Sequence, residues 1–161
     1  MSKEKITIKY TRFDSDAGLT EEDRSLLSKA RAFTKNAFAP YSNFKVAAVG
    51  KTLNGRIFTG TNQENASFPA GLCAERVMLS AFSLVANEDK LETVAISFKR
   101  NRRKSDVPVS PCGICRQSLV EYEERGGAPI RLILSGQEGE VLVIDSAKDL
   151  LPFSFGKNDL D

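Results

Sequence analysis

The sequence contains no histidine, and its three cysteines are confined to two short segments. No apolar run approaches the ~20 residues needed to span a bilayer. The first ten residues, MSKEKITIKY, lack the apolar core of a secretory signal. We therefore predict a cytoplasmic protein. Because thiols stay reduced in that compartment, an odd number of closely spaced cysteines indicates a metal site or catalysis rather than disulfides.

The charge balance is close to neutral. With 23 basic and 21 acidic residues, the net charge of +2 gives no support for nucleic-acid binding. One basic run, KRNRRK, covers residues 99–104. Phosphate contact is one interpretation of this run, but the absence of interleaved aromatic residues favours a solvated loop. We predict a small-molecule substrate, with neither a nucleic-acid nor a membrane partner.

The length and composition fit one globular domain. The chain has 161 residues, of which 41% are hydrophobic and 27% are charged. We predict that the domain covers residues 16–161. Residues 1–15 alternate only weakly, in the stretch ITIKY, and form either an arm or an additional strand.

Apolar periodicity divides the domain into alternating helices and strands. This alternation favours an α/β fold, in which a mixed five-stranded sheet carries packed helices. The hairpin turn is assigned to Asn54–Gly55, a dipeptide that tolerates positive φ at both residues. The predicted elements are a helix over 21–39 capped by Thr20, a hairpin over 43–62, a helix after Cys73, a strand over 93–98, a helix opened by Cys112, and strands over 130–135 and 141–145.

The cysteines lie where two of these helices begin. Cys73 opens one helix, while Cys112 and Cys115 share the first turn of the other, where helix dipoles favour thiolates. If both helices start at one edge of the sheet, the three thiols meet and suit zinc. Three protein ligands leave one position for water, as in catalytic zinc sites. The alternative is that the cysteines pack as small hydrophobes, but the contexts CAE and PCGIC favour the metal site.

Glu75 indicates the kind of chemistry. It lies two residues after Cys73, near enough to hydrogen-bond a zinc-bound water and to pass its proton to a substrate. The alternative for Glu75 is an acidic residue stabilised by the helix N-terminus. The neighbouring Arg76, taken alone, is a surface side chain. Glu75 together with the three thiols favours a hydrolytic site.

Four segments resemble the cytidine deaminases, specifically the homotetrameric type whose zinc is held by three cysteines. They are PYSNFKVAA from Pro40, NQENASFPAGLCAER from Asn62, SPCGICRQ from Ser110 and LLPFSFG from Leu150. The resemblance spans about residues 21–161. It implies a three-layer cytidine-deaminase-like fold, a Zn²⁺ cofactor, a homotetramer, and conversion of cytidine and deoxycytidine to uridine and deoxyuridine in pyrimidine salvage.

The resemblance also implies roles for the residues at matching positions. Cys73, Cys112 and Cys115 would bind zinc, and Glu75 would carry a proton to ring nitrogen 3 and then to the departing ammonia. Arg76 would donate to the sulfurs and offset their charge. The implied substrate contacts are Phe44 near the base, Asn62 and Glu64 at the ribose 3′-hydroxyl, backbone groups around Ala66 and Ala74 at the pyrimidine, and Phe155 reaching into a neighbouring subunit.

Two alternative functions differ from this expectation. One is a deaminase acting on a modified nucleoside, a nucleoside antibiotic or a polynucleotide base; the near-neutral charge opposes the polynucleotide. The other is a zinc-stabilised binding module, which Glu75 and the missing fourth ligand oppose. Phe68 stands where the family commonly has tyrosine, so contacts of that hydroxyl are not carried over to this chain.

Overall fold

The computed structural model describes residues 1–86 and 88–160. They form a six-stranded sheet with helices on both faces. The strands are β1 (Thr11–Phe13), β2 (Phe44–Thr52), β3 (Ile57–Thr61), β4 (Leu91–Arg100), β5 (Arg131–Ser135) and β6 (Val141–Ile144), and the helices are α1 (Glu21–Phe33), α2 (Ala74–Val85) and α3 (Gly113–Gly126).

The sheet is mixed, as the sequence predicted. Its strand order is β1-β6-β5-β4-β2-β3, and only β4 and β5 run parallel. The predicted count of five strands was wrong, because Thr11–Phe13 pairs antiparallel with Val141–Val143 and adds a sixth strand at one edge. The sequence left open an additional strand within residues 1–15 but did not locate it, because Thr11–Phe13 is only three residues long and lies after the weakly alternating stretch ITIKY.

The helices lie on opposite faces of the sheet, which confirms the three-layer architecture. On one face, Leu27 and Ala30 of α1 pack in a cluster with Val49, Ala95 and Ile133. On the other face, α2 and α3 contribute to a larger cluster whose fully buried members include Met78, Leu119, Leu132 and Leu134. Among the described residues, no helix has both the length and the apolar character needed to cross a membrane.

Helix α1 begins as predicted but ends early. The Thr20 hydroxyl accepts a hydrogen bond from the Asp23 amide, which confirms the predicted N-cap. The helix stops at Phe33 rather than Ala39 and continues as a single 3₁₀ turn. The reason is tertiary: Phe38 bridges to the chain after β3, donating its amide to Asn62 O and accepting from the Glu64 amide.

The β2–β3 hairpin turns at the predicted dipeptide with a different geometry. Among the described residues, Gly55 has a φ of 77°, whereas Asn54 is not in the positive-φ region. The backbones of Thr52 and Arg56 close the loop through a bond of 3.0 Å. The turn therefore needs one left-handed residue, which glycine supplies.

Helix α2 approaches the hairpin very closely at Gly60 on β3. A Cβ at this position would lie 2.3 Å from Met78 N and 2.4 Å from Ala74 O. Real Cβ atoms do not approach backbone atoms this closely, so only glycine permits the contact. It fixes the first turns of α2, and hence Cys73 and Glu75, relative to the sheet.

We predict that Gly60→Ala destabilises the fold. The methyl group would push α2 away from β3, and overpacking of this kind typically costs about 1–3 kcal/mol. Urea unfolding should show a correspondingly lower free energy of unfolding. Gly126→Ala is the matched control, because its Cβ would meet Lys90 at an ordinary 3.9 Å. Equal stability of the two variants would contradict the argument.

Candidate active site

Helices α2 and α3 begin close together, and their first residues bring the three thiols into one cluster. Cys73 is the N-cap of α2, Cys112 is the N-cap of α3, and Cys115 lies in the first turn of α3. All three sulfur atoms lie within 4.8 Å of one another. Cys73 Sγ and Cys112 Sγ are 3.7 Å apart, and Cys112 Sγ and Cys115 Sγ are 3.5 Å apart.

This geometry fits zinc. For a tetrahedral ion with Zn–S bonds of about 2.3 Å, ligand sulfurs lie roughly 3.8 Å apart. The observed separations are close to that value. In residues 1–86 and 88–160, no further carboxylate or thiol joins the cluster. The donor set therefore holds a zinc ion with three protein ligands and leaves one position open.

The surroundings of the cluster favour thiolates. The N-cap positions of Cys73 and Cys112 lie at the positive ends of two helix dipoles. A hydrogen bond from Cys115, with further help from Cys112 and Arg76, lowers the pKa of Cys73 to about 5. The hydrogen bond with Cys73 and burial raise the pKa of Cys115.

Arg76 lies beside these thiols on α2. Its Nη2 donates to Gly71 O at 3.1 Å. Its buried Nε has no partner within the described part of the chain. Because an unpaired buried donor is costly, this nitrogen suits a neighbouring negative charge. The Cys73 thiolate is one such charge, because Arg76 helps to lower the pKa of that thiol.

Glu75 follows Cys73 into the first turn of α2 and is almost fully buried, with 5% of its surface exposed. Burial raises the pKa of this carboxyl, and the charge of Cys73 adds to the effect. A carboxyl with a raised pKa can both accept and return a proton near neutral pH. Glu75 also lines the same cavity as Cys73 and Cys112.

The cavity beside the thiols has a volume of about 700 Å³, which is within the range of small-ligand sites. It brings together the predicted residues Phe44, Asn62, Glu64, Ala74 and Glu75. The full lining is Tyr41, Ser42, Phe44, Val46, Asn62, Gln63, Glu64, Asn65, Phe68, Gly71, Leu72, Cys73, Ala74, Glu75, Ile96, Val109, Ser110 and Cys112.

Other predicted residues lie outside this lining. Ala66 is exposed on the loop after β3. Phe155 is 59% exposed, and its carbonyl accepts a 2.8 Å bond from Gln117 on α3. Arg76 and Cys115 are also not among the lining residues, and Cys115 is fully buried.

Asn62 and Glu64 have partners within the chain as well as a place in the cavity. Asn62 Oδ1 accepts from Val46 N at 2.7 Å, and its Nδ2 donates to Phe44 O at 2.9 Å. The Glu64 carboxylate accepts bonds from residues 41 and 42. Both side chains therefore help to shape the wall that carries Phe44.

Sequence reasoning missed several lining residues. Tyr41 and Ser42 lie three and two residues before Phe44 in the segment PYSNF, and Val109 and Ser110 stand directly before PCGIC. Their closeness to residues with assigned roles was the only available signal. Tyr41 also packs edge-on against Phe68, with ring centroids 5.9 Å apart.

Comparison with known proteins gives consistent matches. Residues 20–126 match the family profile described as the cytidine and deoxycytidylate deaminase zinc-binding region. A cytidine deaminase from Halalkalibacterium halodurans is 34% identical over 86% of this chain and 98% of its own length. A cytidine deaminase from Sporosarcina psychrophila is 33% identical over 84% and 92% of the two chains.

Solved structures show the same likeness. The crystal structure of cytidine deaminase from Burkholderia pseudomallei aligns with a TM-score of 0.71 at 36% identity, covering 85% of this chain and 100% of that chain. The cytidine deaminase structure from Mycobacterium leprae aligns with a TM-score of 0.61 at 33% identity, over 83% and 98% of the two chains. Fold and site thus define a zinc-binding deaminase. Within that class, the chain belongs to the cytidine deaminase family.

We expect about one zinc ion per chain, since the three thiols form one cluster. Cys112→Ala should lose nearly all bound zinc after mild chelator treatment, because only two ligands remain. Ser110→Ala, which alters a neighbouring lining residue that offers no ligand, should keep it. Atomic emission on the purified proteins measures both. Full zinc content in Cys112→Ala would show that the cluster is not the zinc site.

Proposed function

We propose that this protein catalyses the hydrolytic deamination of cytidine and deoxycytidine, releasing ammonia and leaving uridine or deoxyuridine. The observation that carries the proposal is the common cavity. Its lining includes two of the zinc-binding thiols and the buried Glu75 together with Phe44, Asn62 and Glu64. A nucleoside needs both kinds of group, since its base reacts and its sugar must be held.

The chemistry that zinc supplies when bound is Lewis acidity, which makes a hydroxide nucleophile available near neutral pH. Glu75 takes the proton released from water and delivers it to ring nitrogen 3 as oxygen adds to carbon 4. Glu75 then takes the second proton from the hydroxyl now on carbon 4 and delivers it to the exocyclic amine. The amine leaves as ammonia when its bond to carbon 4 breaks and the carbon–oxygen double bond of the product forms. The raised pKa of Glu75 suits this two-way transfer.

The remaining wall residues orient the substrate. Phe44 stacks on Phe98 with ring centroids 4.9 Å apart and offers an aromatic surface beside the base. The backbone around Ala74 lies within the lining and provides polar groups for the pyrimidine edge. Asn62 and Glu64 provide the polar groups for the ribose 3′-hydroxyl. Arg76 Nε, which has no hydrogen-bond partner within the described residues, is free to donate towards the thiolates.

The charge of the cavity favours a nucleoside over a nucleotide. The charged side chains in the described lining are the carboxylates of Glu64 and Glu75, with no lysine or arginine among them. A 5′-phosphate would carry a charge of about −2 into this site without a cationic partner. We therefore propose cytidine rather than deoxycytidylate as the substrate class.

The chain also exposes large apolar side chains that support a homotetramer. Phe153 is 95% exposed, Phe68 is 75% exposed and Ile114 is 63% exposed. Phe155 is not among the lining residues of its own cavity, and we propose that it reaches a neighbouring one. Large exposed apolar side chains of this kind support burial against a partner. A reduced three-thiol site further supports a cytoplasmic enzyme of pyrimidine salvage.

Ammonia release tests the proposed activity. Cytidine and deoxycytidine should both yield stoichiometric ammonia, whereas deoxycytidylate and free cytosine should react at least about 10²-fold more slowly. Deoxycytidylate should be slow because its phosphate finds no cationic partner in the lining, and cytosine should be slow because it leaves the sugar-binding groups without their partner hydroxyl. Faster turnover of deoxycytidylate than of deoxycytidine would overturn the assignment.

Glu75→Gln is the catalytic control for this assay. The carboxamide keeps the shape of the side chain but cannot move a proton, so turnover should fall by roughly 10²- to 10⁴-fold. Zinc content should stay near that of the unmodified protein. Near-normal turnover would remove Glu75 from the mechanism.

We predict a mass in solution near four times the 17.7 kDa of one chain. Phe155→Ala should lower activity with little effect on zinc content, because the side chain acts in a neighbouring site. Leu53→Ala removes a side chain of similar exposure, 58%, at the hairpin turn and serves as the control. Light scattering and activity assays measure these effects. A fully active monomer is incompatible with the proposal.

A further inference from the structure

Residues 39–44 form a tight turn that makes one wall of the cavity, referred to below as the 39–44 turn. The Asn43 amide donates to Ala39 O at 3.1 Å, and Asn43 has a left-handed φ of 56°. Asparagine tolerates this conformation better than most residues do. The turn exposes the amides of Tyr41 and Ser42 on the side that faces Glu64.

The Glu64 carboxylate accepts the free donors of this turn. Its Oε2 accepts from the Tyr41 amide at 2.8 Å and from the Ser42 amide at 3.3 Å. Its Oε1 accepts from the Ser42 hydroxyl. A carboxylate is a good hydrogen-bond acceptor for two successive backbone amides, as at a helix N-terminus.

Ser42 links this carboxylate to the aromatic wall. While its hydroxyl donates to Glu64, its Oγ accepts from the Phe44 amide at 3.0 Å. Phe44 in turn stacks on the buried Phe98, with an interplanar angle of 18°. One side chain therefore connects the sugar end of the cavity with the base end.

A count of acceptor positions shows where a sugar hydroxyl can bind. Each carboxylate oxygen accepts about two hydrogen bonds. Glu64 Oε2 already accepts two amide bonds, whereas Oε1 accepts only the bond from Ser42. A ribose hydroxyl must then use the second position on Oε1, beside the Ser42 hydroxyl.

We infer that Ser42 is a positioning residue for the substrate: its hydroxyl fixes Glu64 Oε1 towards the sugar and holds Phe44 for the base. This inference rests on the proposed nucleoside deaminase activity. Ser42 acts through its neighbours and does not touch the reacting atoms. Its removal therefore affects binding of the substrate more than the chemical step.

Kinetics with two substrates test this role. Ser42→Ala should raise KM for cytidine by about tenfold, consistent with the loss of two hydrogen bonds of ordinary strength, and should leave kcat within about twofold. The increase should be smaller for 3′-deoxycytidine, which has no hydroxyl to share Oε1. Ser42→Thr keeps the hydroxyl and should restore most of the affinity. Ser28→Ala, on the exposed face of α1, is the control.

Amide hydrogen exchange measures the same contacts without substrate. In Ser42→Ala, the Phe44 amide should exchange about tenfold faster, whereas the Tyr41 amide should change little. In Glu64→Ala, by contrast, the exchange rates of the amides of residues 41 and 42 should rise. These exchange rates do not depend on turnover. They therefore test the hydrogen bonds of Ser42 even if cytidine is not the substrate.

Two results would overturn the inference. One is unchanged exchange at Phe44 in Ser42→Ala, because the hydrogen bond to Oγ would then be absent. The other is an equal rise in KM for cytidine and 3′-deoxycytidine, because Ser42 would then have no connection with the sugar hydroxyl. A loss of kcat at constant KM would likewise place Ser42 in the chemical step and contradict its positioning role.

Discussion

The close approach of α2 to β3 at Gly60 is the constraint on which the site depends. The missing side chain lets the backbone of Ala74 and Met78 lie directly on the hairpin. Because α2 packs this closely on β3, its first turn lies at the edge of the sheet where α3 also begins. The thiols of two separate helices can then share one ion. A helix displaced by the width of a methyl group would separate Cys73 from the other two sulfurs.

The same helix start creates two opposite electrostatic environments. The N-cap position exposes the Cys73 sulfur to the helix dipole and to Arg76, which favours the thiolate. Two residues later, the Glu75 carboxyl is almost fully buried, so its charged form is disfavoured. Metal binding needs the first environment and proton transfer needs the second. One turn of helix provides both because Cys73 is only partly buried whereas Glu75 is almost fully buried.

The sequence predicted those parts of the structure that depend on local spacing. The Cys112–Cys115 pair, the Thr20 cap and the apolar periodicity of α2 are local signals, and the corresponding elements form. The early end of α1 at Phe33 and the additional strand Thr11–Phe13 depend on pairing with distant residues. Propensity contains no information about such partners. For the same reason, Tyr41 and Ser42 could not be assigned to the cavity from the sequence.

Asn62 and Glu64 illustrate why fold and function are hard to separate at this site. Their polar atoms hold the start of β2 and the 39–44 turn before any substrate arrives. Their orientation is therefore set during folding, and in the proposed function a sugar would meet acceptors that need little rearrangement. Such preorganisation lowers the entropy cost of binding. It also means that replacing either residue would change the wall and the proposed sugar contact together. Ser42 couples the same two parts of the wall, because its hydroxyl donates to the Glu64 carboxylate while its Oγ accepts from the Phe44 amide.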